Sequence, residues 1–104
     1  MKPLVDIHPN HLKIVLHILR KHLPKNAQVW VFGSRAKCTA RKYSDLDLAI
    51  DCGKPIPDKY MIDLKDAFIE SDLPYKVDVI DWYATSNDFK EMIAEDRIAL
   101  NTMK

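Results

Sequence analysis

Two carboxylates set one residue apart, Asp45 and Asp47 in Ser44-Asp45-Leu46-Asp47-Leu48, are the residues of this chain best placed to do chemistry. Side chains alternate along an extended strand, so the two project together about 6.6 Å apart while Leu46, Leu48 and Ile50 turn to the opposite, buriable face. Neighbouring carboxylates repel unless they share a proton or a cation. Oxygen ligands at neutral pH select Mg²⁺, which commonly arrives with a phosphate-bearing substrate. Ten residues separate this pair from Gly33-Ser34, which ends the apolar run Val29–Phe32. Glycine lets a backbone approach phosphate closely, and the amides of a tight turn attract anions. The Ser34 hydroxyl can donate to a phosphate oxygen. These residues have the composition and order of a phosphoryl- or nucleotidyl-transfer site.

A third acid is expected near such a pair. Asp78 fits, because it interrupts an otherwise apolar strand between Val77 and Val79. Asp81, at the exit of that strand, and Asp51, at the far end of the strand after Asp47, are weaker candidates, since acids there commonly cap turns or meet water. Ser44 is placed to orient Asp45 or touch a phosphate. Arg35, Lys37, Arg41 and Lys42 cluster between the two halves of the motif and would make its loop positive where a triphosphate arrives. Tyr43, Trp82 and Tyr83 are candidates to stack a base, although packing is the commoner use of aromatics at strand ends.

The elements that position these residues follow from periodicity. Pro9 opens a helix from about Asn10 to Lys21, with Leu12, Val15, Leu16, Leu19 and Leu23 on one stripe. Gln28–Phe32 is a strand buried on both faces, and Ser34–Ala40 a short helix pointing its N-terminus at the motif. Leu46–Asp51 is the second strand. Asp58 is the expected N-cap of a helix reaching Ser71, with Met61, Leu64, Ala67 and Phe68 inward. Lys76–Asp81 is a third strand. Thr85 and Asp88 have capping-box form before a helix whose stripe is Phe89, Met92 and Ile93. Ile98–Asn101 is either a short strand or the end of that helix. Strands alternating with helices give an α/β (α+β) domain with a mixed sheet.

A chain of 104 residues reads as one domain over 1–104. The net charge of +1 makes no global case for nucleic-acid binding, so no stable nucleic-acid complex is expected. No segment approaches the ~20 apolar residues of a membrane span, so no membrane contact is expected. Cys38 and Cys52 lack metal-ligand spacing and read as free thiols, which points to a cytoplasmic protein. His8, His11, His17 and His22 form no chelating set with a nearby acid and read as structural or surface residues.

The spacing of Gly33-Ser34 and Asp45-Leu46-Asp47, set between apolar strands, resembles the signature of the DNA polymerase β-like nucleotidyltransferase superfamily. It resembles in particular its smallest members, the minimal nucleotidyltransferases (MNT), many of which are antitoxins paired with HEPN-domain toxins. The resemblance covers nearly the whole chain. It implies the nucleotidyltransferase fold, a mixed β-sheet of three to four strands with helices covering one face. It also implies a two-metal Mg²⁺ site on Asp45, Asp47 and Asp78, with Asp78 activating the acceptor hydroxyl. Gly33, Ser34 and Ser44 would bind the nucleotide triphosphate. ATP would be the substrate, and its AMP would pass to a tyrosine of a partner HEPN toxin. A small catalytic core needs a partner to supply the acceptor, which agrees with that implication. The chain departs from the family where Cys38 replaces a second loop glycine. Two other functions stay open: a non-catalytic subunit that masks its partner sterically, and a subunit of a small-molecule nucleotidyltransferase of the aminoglycoside-modifying kind.

Overall fold

The computed structural model describes residues 7–36 and 44–100. The expected roles of Lys37, Cys38, Arg41, Lys42 and Tyr43, and most of the expected helix over Ser34–Ala40, lie outside these residues.

Helix α1 spans Pro9–His22. Proline stands in its first turn, where the missing N–H costs nothing, and His8 caps it by accepting from the Asn10 amide through Nδ1 at 3.1 Å. This gives one of the four histidines its structural role. Strand β1 follows as Gln28–Phe32, then a 3₁₀ turn over Gly33–Arg35. Strand β2 is Leu46–Asp51 and helix α2 is Asp58–Ile69. Asp58 is not the cap expected: Pro57 holds that position and Asp58 lies in the first turn, where a carboxylate still favours the helix dipole. Strand β3, Val77–Asp81, leads through a 3₁₀ turn at Trp82–Ala84 to helix α3, Asn87–Asp96. Its cap is Ser86, whose Oγ accepts from the Phe89 amide at 3.3 Å. Thr85, expected to cap, instead donates to the Asp81 carbonyl at 2.8 Å. Ile98–Leu100 is a short strand, β4.

The strands form one sheet in the order β3-β2-β1-β4. β1 runs antiparallel to β2 and β4, and β2 parallel to β3. Alternation assigns the two faces. Val29 and Val31 of β1, Leu46, Leu48 and Ile50 of β2, and Val79 of β3 join Val15, Ile18 and Leu19 of α1 and Leu64 and Phe68 of α2 in one buried cluster. Helices α1 and α2 therefore cover one face, and the sheet's stability rests there.

The other face carries Trp30, Phe32, Asp47, Ala49 and Asp78. Its far part is closed by ring contacts, Trp30 to Trp82 at 5.0 Å and Phe32 to Phe89 at 6.0 Å. Helix α3 is anchored lightly. Of its expected stripe only Ile93 is buried, and Met92 is 66% exposed.

Candidate active site

The open part of the second face is built by a register that period-2 alternation cannot specify. Phe32 pairs with Asp47 across β1 and β2, and Asp47 with Asp78 across β2 and β3. Paired residues share a face, so the Asp47 and Asp78 side chains stand next to each other on neighbouring strands. Asp45 lies one residue before β2 and is exposed. The structure thus brings Asp47 and Asp78 together and leaves Asp45 at the rim.

Electrostatics reflect this arrangement. Partial burial, then the Asp78 carboxylate and then that of Asp45, push the Asp47 carboxyl up to about 6 from 3.8. Such a group holds its charge reluctantly unless a cation joins it. Asp78 has a cationic neighbour, with Lys76 Nζ 3.4 Å from its Oδ1. Both side chains are well exposed, and pairs of that kind are weak. An open groove of about 600 Å³ between α2 and β3, lined by Phe68, Ile69, Leu73 and Lys76, leads to Asp78.

Gly33 ends β1 with φ +75°, a conformation that L side chains rarely adopt. A Cβ there would stand 2.5 Å from Asp47 Oδ2. The glycine is required twice over, by its own backbone and by the carboxylate against it. The Gly33-Ser34 turn therefore abuts Asp47 directly, which places the expected phosphate-binding turn and the expected ligand side by side. Ser34 and Ser44 are both half-buried at this edge.

Arg35 is not the free phosphate-steering cation that its place after Ser34 suggested. It is 5% exposed. Its Nε and Nη2 donate to the Ser44 carbonyl at 3.1 and 2.8 Å, and its guanidinium lies 4.0 Å from the Tyr75 ring centroid. Nothing local in the sequence marks this role, because both partners are distant in the chain.

The weaker acids have structural partners. Asp51 Oδ1 accepts from the Gly53 amide at 2.8 Å. Asp81 accepts from the amides of Ile56 at 2.9 Å and Tyr83 at 3.0 Å. Among the aromatics, Trp82 packs on Trp30 and on the Arg97 guanidinium, 5.0 Å from its ring, while Tyr83 is exposed. Packing is the role the structure gives Trp82.

Among the described residues, no group of three or more His, Cys, Asp or Glu side chains surrounds a common point. The donor set is instead a carboxylate pair beside the Gly33-Ser34 turn. That composition fits Mg²⁺, which is usually held by one or two carboxylates together with substrate phosphates and water. No helix among the described residues is long and apolar enough to cross a membrane.

Comparison with known proteins bears on this arrangement. Residues 13–102 match the model of the family described as "Polymerase beta, Nucleotidyltransferase". The chain is 51% identical over 89 residues to the probable protein adenylyltransferase MntA of Haemophilus influenzae, covering 86% of this chain and 77% of that protein. Two solved structures share the fold. One, a toxin–antitoxin with AMP-PNP, has a TM-score of 0.71 at 22% identity, over 84% of this chain and 69% of that one. The other, the tri-AMPylated HEPN toxin of Shewanella oneidensis in complex with its MNT antitoxin, has a TM-score of 0.64 at 22% identity, over 86% and 67%.

Proposed function

The chain belongs to the polymerase beta nucleotidyltransferase family, and from that premise we propose that it is a protein adenylyltransferase and antitoxin. It transfers AMP from ATP to a tyrosine of a partner HEPN toxin. The observation that carries this reading is the paired register of Asp47 and Asp78 beside Gly33. The 51% identity to a protein adenylyltransferase supports the acceptor class, and the fold shared with antitoxins in HEPN complexes supports the partner.

The roles follow from position. Asp47 and Asp78, with Asp45 at the rim, are the residues that would hold Mg²⁺. When bound, the ion neutralises triphosphate charge and stabilises the attacking and leaving oxygens of an in-line displacement. Gly33 and Ser34 accept the triphosphate, with the bare glycine backbone permitting close approach. Asp78, which lines the groove along β3, takes the proton of the incoming hydroxyl. The hydroxyl oxygen then bonds to the α-phosphorus and pyrophosphate leaves. Ser44 supports the nucleotide edge of the site.

The test is transfer of label from [α-³²P]ATP, with Mg²⁺, to the product of the neighbouring gene. Labelling of that polypeptide is expected. Active, folded components that form a complex without labelling would overturn the catalytic reading.

A further inference from the structure

Three short segments must hold a fixed relation for this site to work: the Gly33-Ser34 turn, Asp45 with Asp47, and the start of β3 leading to Asp78. One buried side chain reaches a residue in or directly beside each of them. Arg35 directly follows the turn, donates twice to the carbonyl of Ser44, the residue before Asp45, and stacks on Tyr75, three residues before Asp78. We infer that Arg35 is a positioning residue that clamps the phosphate turn to both carboxylate-bearing segments. This deepens, and rests on, the transferase reading.

A charged side chain is seldom this buried without partners, because taking a charge out of water is costly. Arg35 meets that cost with a planar fork on one carbonyl and an aromatic face, contacts a lysine cannot reproduce together. Asp45 stands outside β2, so no strand ladder holds it. The guanidinium fork instead anchors the carbonyl of the residue directly before it. His11 extends the support, its ring 5.5 Å from Tyr75, which ties α1 to the same clamp. Losing residues that orient metal ligands typically costs about 10–100-fold in metal affinity or activity.

The experiment uses the full chain with Arg35→Lys and reads two quantities. Mn²⁺ affinity, followed by electron paramagnetic resonance without nucleotide, is expected to weaken about tenfold. In transfer assays kcat is expected to fall about 30-fold or more with KM for ATP little changed. Circular dichroism should remain that of the wild type. A folded variant with wild-type Mn²⁺ affinity and kcat would overturn the inference. So would a loss confined to nucleotide affinity, because that is the signature of direct phosphate contact. If Arg35→Lys does not fold, Tyr75→Leu removes the ring that backs the guanidinium and is judged by the same two readouts. A wild-type chain that binds Mn²⁺ yet transfers nothing would refute the transferase reading, and the Mn²⁺ comparison would still decide the role of Arg35.

Discussion

Strands β2 and β3 carry two sets of carboxylates, one toward each end, and the sets have opposite surroundings. Asp51 and Asp81, at the ends where the strands exit, accept backbone N–H bonds from Gly53, Ile56 and Tyr83. They close the turns that follow. Asp47 and Asp78, three to four residues earlier on the same strands, receive no backbone N–H among the described residues and face each other instead. Burial and this mutual repulsion raise Asp47 to about 6. The contrast separates acids that hold turns from acids left facing one another. A carboxylate that accepts backbone donors already has its partners where it stands, whereas a pair left facing each other gains by taking up a cation or a proton.

Substitution should separate the two sets sharply. Asp47→Asn should lower AMP transfer by about a thousandfold, the equivalent of several kcal/mol of lost transition-state stabilisation. It should leave the melting temperature of the metal-free protein unchanged or higher, as thermal denaturation would show. Asp81→Ala should do the reverse. Stripping the Ile56 and Tyr83 amides of their acceptor should cost about 2–3 kcal/mol in denaturant unfolding, with transfer per folded molecule within a few-fold of wild type. Equal effects of the two changes on transfer would break the distinction.

The two glycines sharpen it further, because both have positive φ but only one meets a carboxylate. Gly33→Ala drives a Cβ against Asp47 Oδ2 and should cut transfer about a hundredfold by displacing that carboxylate. A Cβ on Gly53 meets nothing within 4 Å. Gly53→Ala should therefore cost only the left-handed backbone, about 1 kcal/mol, with transfer intact.

Stability should also depend on pH. In the metal-free chain the folded state keeps a proton on Asp47 between pH 3.8 and about 6 that the unfolded chain has lost. The folded state binds more protons in that window, so stability falls as pH rises through it and does not recover above it. Denaturant midpoints measured across this range should show the slope. Asp47→Asn, or saturating Mg²⁺, should flatten it.

Much of this was legible in the residues. The alternation of Leu46, Asp47, Leu48 and Ile50 separates a buried face from a chemical one, and the structure follows it with Leu46, Leu48 and Ile50 fully buried. That Asp78 belongs with Asp47 was legible as residue type in an apolar strand. Its register was not, because a parallel pairing joins segments about thirty residues apart and leaves no local trace. Caps slipped for a related reason. Thr85 and Ser86 both carry hydroxyls, and the Asp81 carbonyl decides between them by engaging the first. Met92 was expected inward on helical spacing alone, but α3 rests on the sheet mainly through Ile93 and the edge of Phe89. Arg35 is the clearest loss. An arginine after a Gly-Ser turn looks like a phosphate ligand, and only the folded positions of Ser44 and Tyr75 show it turned inward.

Intact mass spectrometry of the partner polypeptide, after incubation with ATP, Mg²⁺ and either the wild type, Asp47→Asn or Asp81→Ala, decides whether Asp47 serves AMP transfer. The partner should gain whole AMP units with the wild type and with Asp81→Ala, and none with Asp47→Asn. A partner that gains no mass from a folded, complex-forming wild type would contradict this role of Asp47, as would one modified equally well by Asp47→Asn.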